Sequence, residues 1–586
     1  VNKNLFLTDL PNSGPTLASG PTSNSNLPIM EESSDKLFCC RWVRHRIPLA
    51  HREEFYHILR MTGPLLLSRI LNYLLPFVIT MFCGRLGNAV LAGYGLACAT
   101  INVTTAATGG GLALACDTLV SQTFGGRNLQ RVGVILQRSV LILLLFCLPC
   151  WAMLLNTQSI LLALGQEPEV ARIAQLYVIA YLPAVPVMCF CAQGILLPQM
   201  YTAAAANIAN VLTNYILLYW MDLGVIGSAA ANTLSQLYIC SFLFAYIYWK
   251  KLHVKTWGGW TTEALQEWGS YMKLAIPSTL MLCFEWWIYE LGGFLAGMLS
   301  EVDLAAQHVV IMLAFINYMF PMGIQAAACV RVGNALGAGD TAGAILTSKV
   351  SLALSGSMAV IQGIVLISTK TVIAFMFTSD EFVCLSQCVC MGIILGTGQQ
   401  KIAAMANLIT YYCLGLPLGI SLMFTAGLRV LGFWLGLFIC VILQSIFFIT
   451  VIFRLNWKRM TGKVRHLCIV APEATENSGR VSKNMLLSPM FYIIYTILSR
   501  ITLGSNGTPE VKREDGSPNG MLSTTQLVLR RGLTVLAAIV ILAVGTCVHL
   551  LLPLPISSWS NLSVDWSNTT FTTTSPPKLA PSTVLI

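Results

Sequence analysis

The sequence predicts an all-α polytopic membrane protein: two six-helix lobes related by pseudo-two-fold symmetry, plus a C-terminal thirteenth helix. Three observations carry this expectation. The 586 residues are 55% hydrophobic and only 10% charged, with mean hydropathy +0.70. The apolar residues fall into runs long enough to cross a bilayer. The later runs resemble the earlier ones at a nearly constant offset.

A soluble domain carries about 25% charged residues. No water-soluble core could hide this much apolar surface, so lipid must be the solvent for most of the chain. The net charge of +10 does not imply a nucleic-acid partner, because the cations sit in short connections between apolar runs. There they act as topology signals. The 19 cysteines are scattered through apolar stretches and form neither a disulfide framework nor a metal-ligand spacing, so no metal or cofactor is expected. Cys147-Leu-Pro-Cys150 has redox spacing, but it lies inside a hydrophobic run with no βαβ pattern beside it. No nucleophile–base pair is recognisable, which argues against an enzyme.

Residues 1–40 lack the apolar core of a signal peptide, so the first span is expected to direct insertion. Met30, ahead of Glu31-Glu32-Ser33-Ser34-Asp35, is the expected start. A helix needs about 20 apolar residues to cross a bilayer. That rule yields about thirteen spans, near 60–83, 89–121, 131–156, 168–191, 195–219, 224–249, 268–299, 302–332, 344–377, 381–397, 400–425, 428–453 and 532–552. Arg41, Arg44, Arg46, Arg52 and Arg60 precede the first span, Arg127 and Arg131 follow the second, and Lys250, Lys251 and Lys255 follow the sixth. Arg454, Lys458, Arg459, Lys463 and Arg465 follow the twelfth, whereas the alternate loops are mainly acidic. The positive-inside rule then puts the N-terminus in the cytoplasm and the C-terminus outside, as for a multi-pass protein of the plasma membrane.

The expected organisation is a cytoplasmic N-terminal tail (1–57), an N-lobe of helices 1 to 6 (58–253) and a C-lobe of helices 7 to 12 (254–457). A cytoplasmic linker (458–529), the thirteenth helix (530–552) and an extracellular Ser/Thr-rich tail (553–586) complete it. The polar composition of 454–529 reads as disorder, with Met485–Leu498 as an interfacial segment. Asn561 and Asn568 head glycosylation sequons on the tail placed outside.

The repeat has several anchor points. Gly84-Arg-Leu86 with Leu91-Ala92 matches Gly297-Met-Leu299 with Leu304-Ala305, and Cys116 matches Cys329. Gln122-Thr-Phe-Gly125-Gly126 resembles Asn334-Ala-Leu-Gly337-Ala338, Asn210 and Tyr215 match Asn407 and Tyr412, and Leu223–Gly227 resembles Leu428–Gly432. Two bundles of equal topology predict a cavity between rocking lobes.

Few ionisable groups lie at membrane depth. Glu285 falls near the middle of the seventh span, where a charge costs about 2.5–3.5 kcal/mol on insertion scales. A carboxyl there must either carry a proton or hold a cation, and that exclusivity is the chemistry of an antiporter. Trp286, Trp287 and Tyr289 are expected to surround it with aromatic faces suited to flat or quaternary cations. Glu290 is five residues on, about 140° around the helix. Asn102 and Tyr318 are further polar candidates for the cavity, though asparagine also joins helices. Asp117 lies near a cytoplasmic helix end, where it is cheap to solvate. Arg69, about one-third into the first span, either snorkels or neutralises one of the glutamates.

The run Cys283-Phe-Glu285-Trp286-Trp287-Ile-Tyr289-Glu290 resembles the multidrug and toxin extrusion (MATE) family, specifically its animal organic cation/proton antiporters. Phe82–Gly87, Ala115–Gln122, Val132–Arg138 and Val330–Asp340 extend the resemblance over most of 60–457. It implies export of small organic cations, such as drugs, toxins and metabolites, in exchange for protons by alternating access, from a monomer in the lipid bilayer. It also implies Glu285 and Glu290 as coupling residues, with Asn102, Trp286, Tyr289 and Tyr318 lining the cavity. The chain departs from the family pattern in a fourth span shortened between Pro186 and Gln193-Gly194 and in a short tenth span, Glu381 to Gly396, which lacks the family's His and Glu. Ile311-Met312 stands in place of a Tyr-Glu pair, and Arg69 in place of a glutamine. The alternatives are a lipid-linked substrate flippase of the same superfamily, a transport-impaired splice or gene-model variant, and, from another class, a channel or receptor.

Overall fold

The computed structural model describes residues 48–186, 196–251, 254, 256–299, 301–368, 386–469 and 524–551, and every element among them is helical. Helix α1 is Leu49–Leu86. Helix α2 (Asn88–Ile101) passes through a π-helical turn, Asn102–Ala106, into α3 (Ala107–Gly125). Then come α4 (Leu129–Leu155), the short α5 (Thr157–Ala163), α6 (Pro168–Tyr181), α7 (Leu196–Tyr215) and α8 (Gly224–Trp249). The second half runs α9 (Trp268–Leu299), α10 (Glu301–Ala338), α11 (Thr341–Ser368) and α12 (Ser386–Gly396). It continues with α13 (Gln400–Asn407), α14 (Leu416–Ile420), α15 (Arg429–Arg454), α16 (Trp457–Ile469) and α17 (Thr524–Leu551).

Among the described residues, eight helices are long and apolar enough to cross a membrane. Helix α6 has 14 residues, and α12 is described only from Ser386 to Gly396. Helices α7 and α9, at 20 and 32 residues, carry asparagines, carboxylates or Trp and Tyr that dilute their apolar character, and most side chains of α10 between 301 and 317 lie outside those described. Most of the stretches in which the fourth and tenth spans depart from the family pattern, 187–195 and 369–385, lie outside the described residues, as do Asn561, Asn568 and 485–498.

Two expectations about the ends need correction. The first helix begins at Leu49, so 49–57 is not a free tail: Arg52, Glu54 and Ile58 are all buried. Arg331 of α10 donates to Glu54 Oε1 through Nε at 3.0 Å and to Oε2 through Nη2, and Thr347 of α11 donates to Glu54 Oε1 at 2.6 Å. Residues 457–469 are not disordered either. They form α16, with Trp457, Met460, Thr461 and Val464 turned to the protein and Lys458, Arg459, Lys463, Arg465 and His466 exposed. Averaging composition over a long polar window concealed that 3.6-residue alternation.

The sequence repeat reappears as repeated bonding. Asn210 donates to Leu75 O of α1 at 3.4 Å and accepts from Ser235 Oγ of α8 at 2.7 Å. Its counterpart Asn407 donates to Met281 O of α9 at 2.9 Å and accepts from Gln444 Nε2 of α15. Each half thus uses one buried amide to tie three helices, in a setting where lone polar groups are costly. The halves meet along α3, which packs on α9 and α10. There a Cβ on Gly125 would overlap the Asn334 backbone, and one on Gly337 would overlap the Gln122 carbonyl. The residues are equivalent under the repeat, since 125 + 212 = 337 and 122 + 212 = 334. The contact is therefore reciprocal, as a two-fold interface must be.

Helix α17 begins at Thr524 rather than near 530 and lies against α4. Asn156 Nδ2 donates to Gly545 O at 2.9 Å, and Arg531 donates to Leu265 O at 2.9 Å while covering the Trp268 ring at 4.3 Å. Leu533, Leu536, Ile539 and Val544 are exposed, as a lipid-facing surface requires.

Candidate functional site

Helix α9 supplies the site because it interrupts an apolar helix with two carboxylates and three aromatic rings within six residues. Its geometry separates the carboxylates, as five residues of helix demand. Glu285 is 5% exposed, and Tyr318 of α10 donates to its Oε1 at 2.7 Å. Glu290 is exposed and lines a cleft of ≈ 360 Å³, open mouth included, with Asn102, Val103, Trp286, Trp287, Tyr289, Ile311 and Phe315.

The expected grouping is therefore redistributed. The aromatic rings frame Glu290, not Glu285, while Glu285 and Tyr318 form a separate buried pair one turn away. Asn102 reaches the cleft because it opens the π-helical turn between α2 and α3. Such single-turn bulges widen a helix locally and re-aim its side chains. Trp287, exposed at the cleft, donates Nε1–H to Val103 O in that turn at 3.2 Å, binding α9 to the first half of the chain. Tyr289 is held by a tilted ring contact with Trp434 at 6.0 Å, and Trp434 donates to Gln307 at 2.7 Å.

Val103, Ile311 and Phe315 were not expected in the lining. Ile311 and Phe315 are one turn apart on α10, a spacing that could have flagged them. Nothing local in the sequence announced the π turn. Arg69 does not neutralise a glutamate: its electrostatic partner is Asp117 of α3, and among the described residues the two make no direct ion pair. Cys147 and Cys150 are buried, unbridged thiols. Among the described residues, no three His, Cys, Asp or Glu side chains gather as a metal site.

A family model described as MatE matches residues 64–220 and 277–386. The chain is 45% identical over 556 residues to multidrug and toxin extrusion protein 1 of Danio rerio, covering 88% of this chain and 94% of that protein. The chain belongs to the multidrug and toxin extrusion family. The protein of the same name from Homo sapiens is 44% identical over 537 residues, with 85% and 94% covered. Among solved structures, a eukaryotic MATE transporter superposes with TM-score 0.68 at 24% identity, over 72% of this chain and 100% of that one, which establishes the shared fold. The family is one of membrane transporters rather than enzymes, and the site on α9 is read accordingly.

Proposed function

We propose that this chain is a secondary active transporter that exports organic cations, drugs and toxins among them, in exchange for protons. The observation that carries the reading is the division of labour on α9. An exposed carboxylate, Glu290, stands in an aromatic cleft able to hold a cation, and a buried carboxyl, Glu285, is tied by Tyr318 to a second helix. In the proposed cycle a proton from outside loads the buried acid and the cation leaves. The lobes then reorient, and the proton is released inside before the next cation binds. The close contact of Gly125 and Gly337 with the opposite half supports a state shut at the cytoplasmic end. The repeat supports exchange by rocking.

The N-terminus is placed in the cytoplasm and the end of α17 outside, in a monomer of the plasma membrane. The test is uptake of tetraethylammonium into proteoliposomes carrying an imposed proton gradient. Uptake should follow the gradient and collapse with a protonophore. Uptake indifferent to both would overturn proton coupling.

A further inference from the structure

Arg69 is a side chain that the proposed cycle does not use. It lies on a stripe of α1 formed by Thr62, Leu66, Arg69 and Tyr73, spaced four, three and four residues apart, so all share one face. That face is turned to α10 at both ends. Below Arg69, Thr62 and Leu66 pack on Gly323; above it, the Tyr73 ring lies 6.3 Å from Phe315, which lines the aromatic cleft. Arg69 itself is exposed, between two parts of that stripe that meet α10. The exposed apolar Leu67 and Leu74 lie on the opposite side of α1, so Arg69 opens beside α10 rather than on that apolar face. Among the described residues its guanidinium makes no hydrogen bond or ion pair, and only the field of Asp117 partly offsets it.

Helical side chains lean towards the N-terminus, so the guanidinium sits about one to two turns below Tyr73, on the order of 10 Å from the aromatic cleft. A guanidinium cannot lose its charge at any working pH. Unlike the two glutamates, Arg69 therefore presents the substrate with a fixed positive charge throughout the cycle. At that distance, with an effective dielectric near 20, one unit charge changes binding by about tenfold.

We propose that Arg69 determines charge specificity: it admits substrates whose cationic head sits in the aromatic cleft and whose far end bears an acid, and it rejects substrates with a second cation there. The proposal rests on the reading that the aromatic cleft takes a cation. Its acid-bearing substrates would place a carboxylate against the unpaired guanidinium, whose planar fork suits two oxygens. A dication of the same length would meet like charge instead.

The test uses three compounds that differ only at the far end: hexyltrimethylammonium, hexamethonium and 6-(trimethylammonio)hexanoate. Binding to the full chain in detergent is read as ligand-dependent thermal stabilisation, and transport as uptake into proteoliposomes. The wild type should bind the acid-bearing compound most tightly and hexamethonium most weakly, about tenfold apart at each step. Arg69→Gln should weaken the acid-bearing compound about tenfold and strengthen hexamethonium by a similar factor, with a severalfold gain for the monocation. Arg69→Lys should keep the wild-type order. An unchanged order in Arg69→Gln overturns the proposal, and so does a wild type that fails to rank the three, an outcome readable even if no variant folds. Hexyltrimethylammonium uptake that ignores the proton gradient while the binding order persists would count against proton coupling alone.

Discussion

Replacing Gly125 by alanine should release the contact that holds the two halves together at the end of α3. The added Cβ would overlap the carbonyl of Asn334, and backbone on both sides leaves no flexible side chain to move aside. Overpacking of this kind costs about 1–3 kcal/mol. The cost falls only on the state in which α3 and α10 touch, so the closed-to-open ratio at this end should drop about 5- to 150-fold. Gly337→Ala should act alike, because its Cβ meets the Gln122 carbonyl in the equivalent position. Gly84→Ala is the control, since no atom lies within 4 Å of a Cβ there. The assay is maleimide labelling of cysteine at Ser121, a residue 4% exposed in this state, read by mass spectrometry of its peptide. Labelling should accelerate in both glycine variants and not in the control. If Gly125→Ala and Gly337→Ala label at the parental rate while folding normally, the contact is not a gate and the reciprocal packing is structural only.

Three other outcomes are expected. Glu285→Gln should bring gradient-driven cation uptake to background at normal surface expression and Glu285→Asp should keep part of it, whereas Glu290→Gln should chiefly raise the substrate KM; gradient-dependent uptake by Glu285→Gln would make that residue structural. Asn407→Leu should lower stability by about 1–3 kcal/mol, because Met281 O and Gln444 Nε2 lose their partner in a buried setting, and thermal denaturation in detergent reads this directly. Single Asn→Gln changes at Asn561 and Asn568 should each remove a glycan, while Asn506 in the linker stays bare; a glycan on Asn506 would reverse the orientation.

The sequence alone determined the solvent of this protein, its helical class and its internal repeat. Apolar run length and charge distribution are local properties that a bilayer reads directly. It also singled out Glu285, Glu290 and their aromatic neighbours, since an ionisable group at membrane depth stands out against an apolar background. Tertiary structure decided which carboxylate keeps which company. Five residues of helix separate Glu285 from Glu290 in angle, and only the placement of α10 and of the π turn at Asn102 shows Tyr318 claiming one and the cleft claiming the other. Arg69 illustrates the same limit: its neighbour in space, Asp117, is 48 residues away, since 117 − 69 = 48. Helical periodicity tells which residues share a face, but what that face meets depends on contacts between distant segments, and those form only when the helices pack.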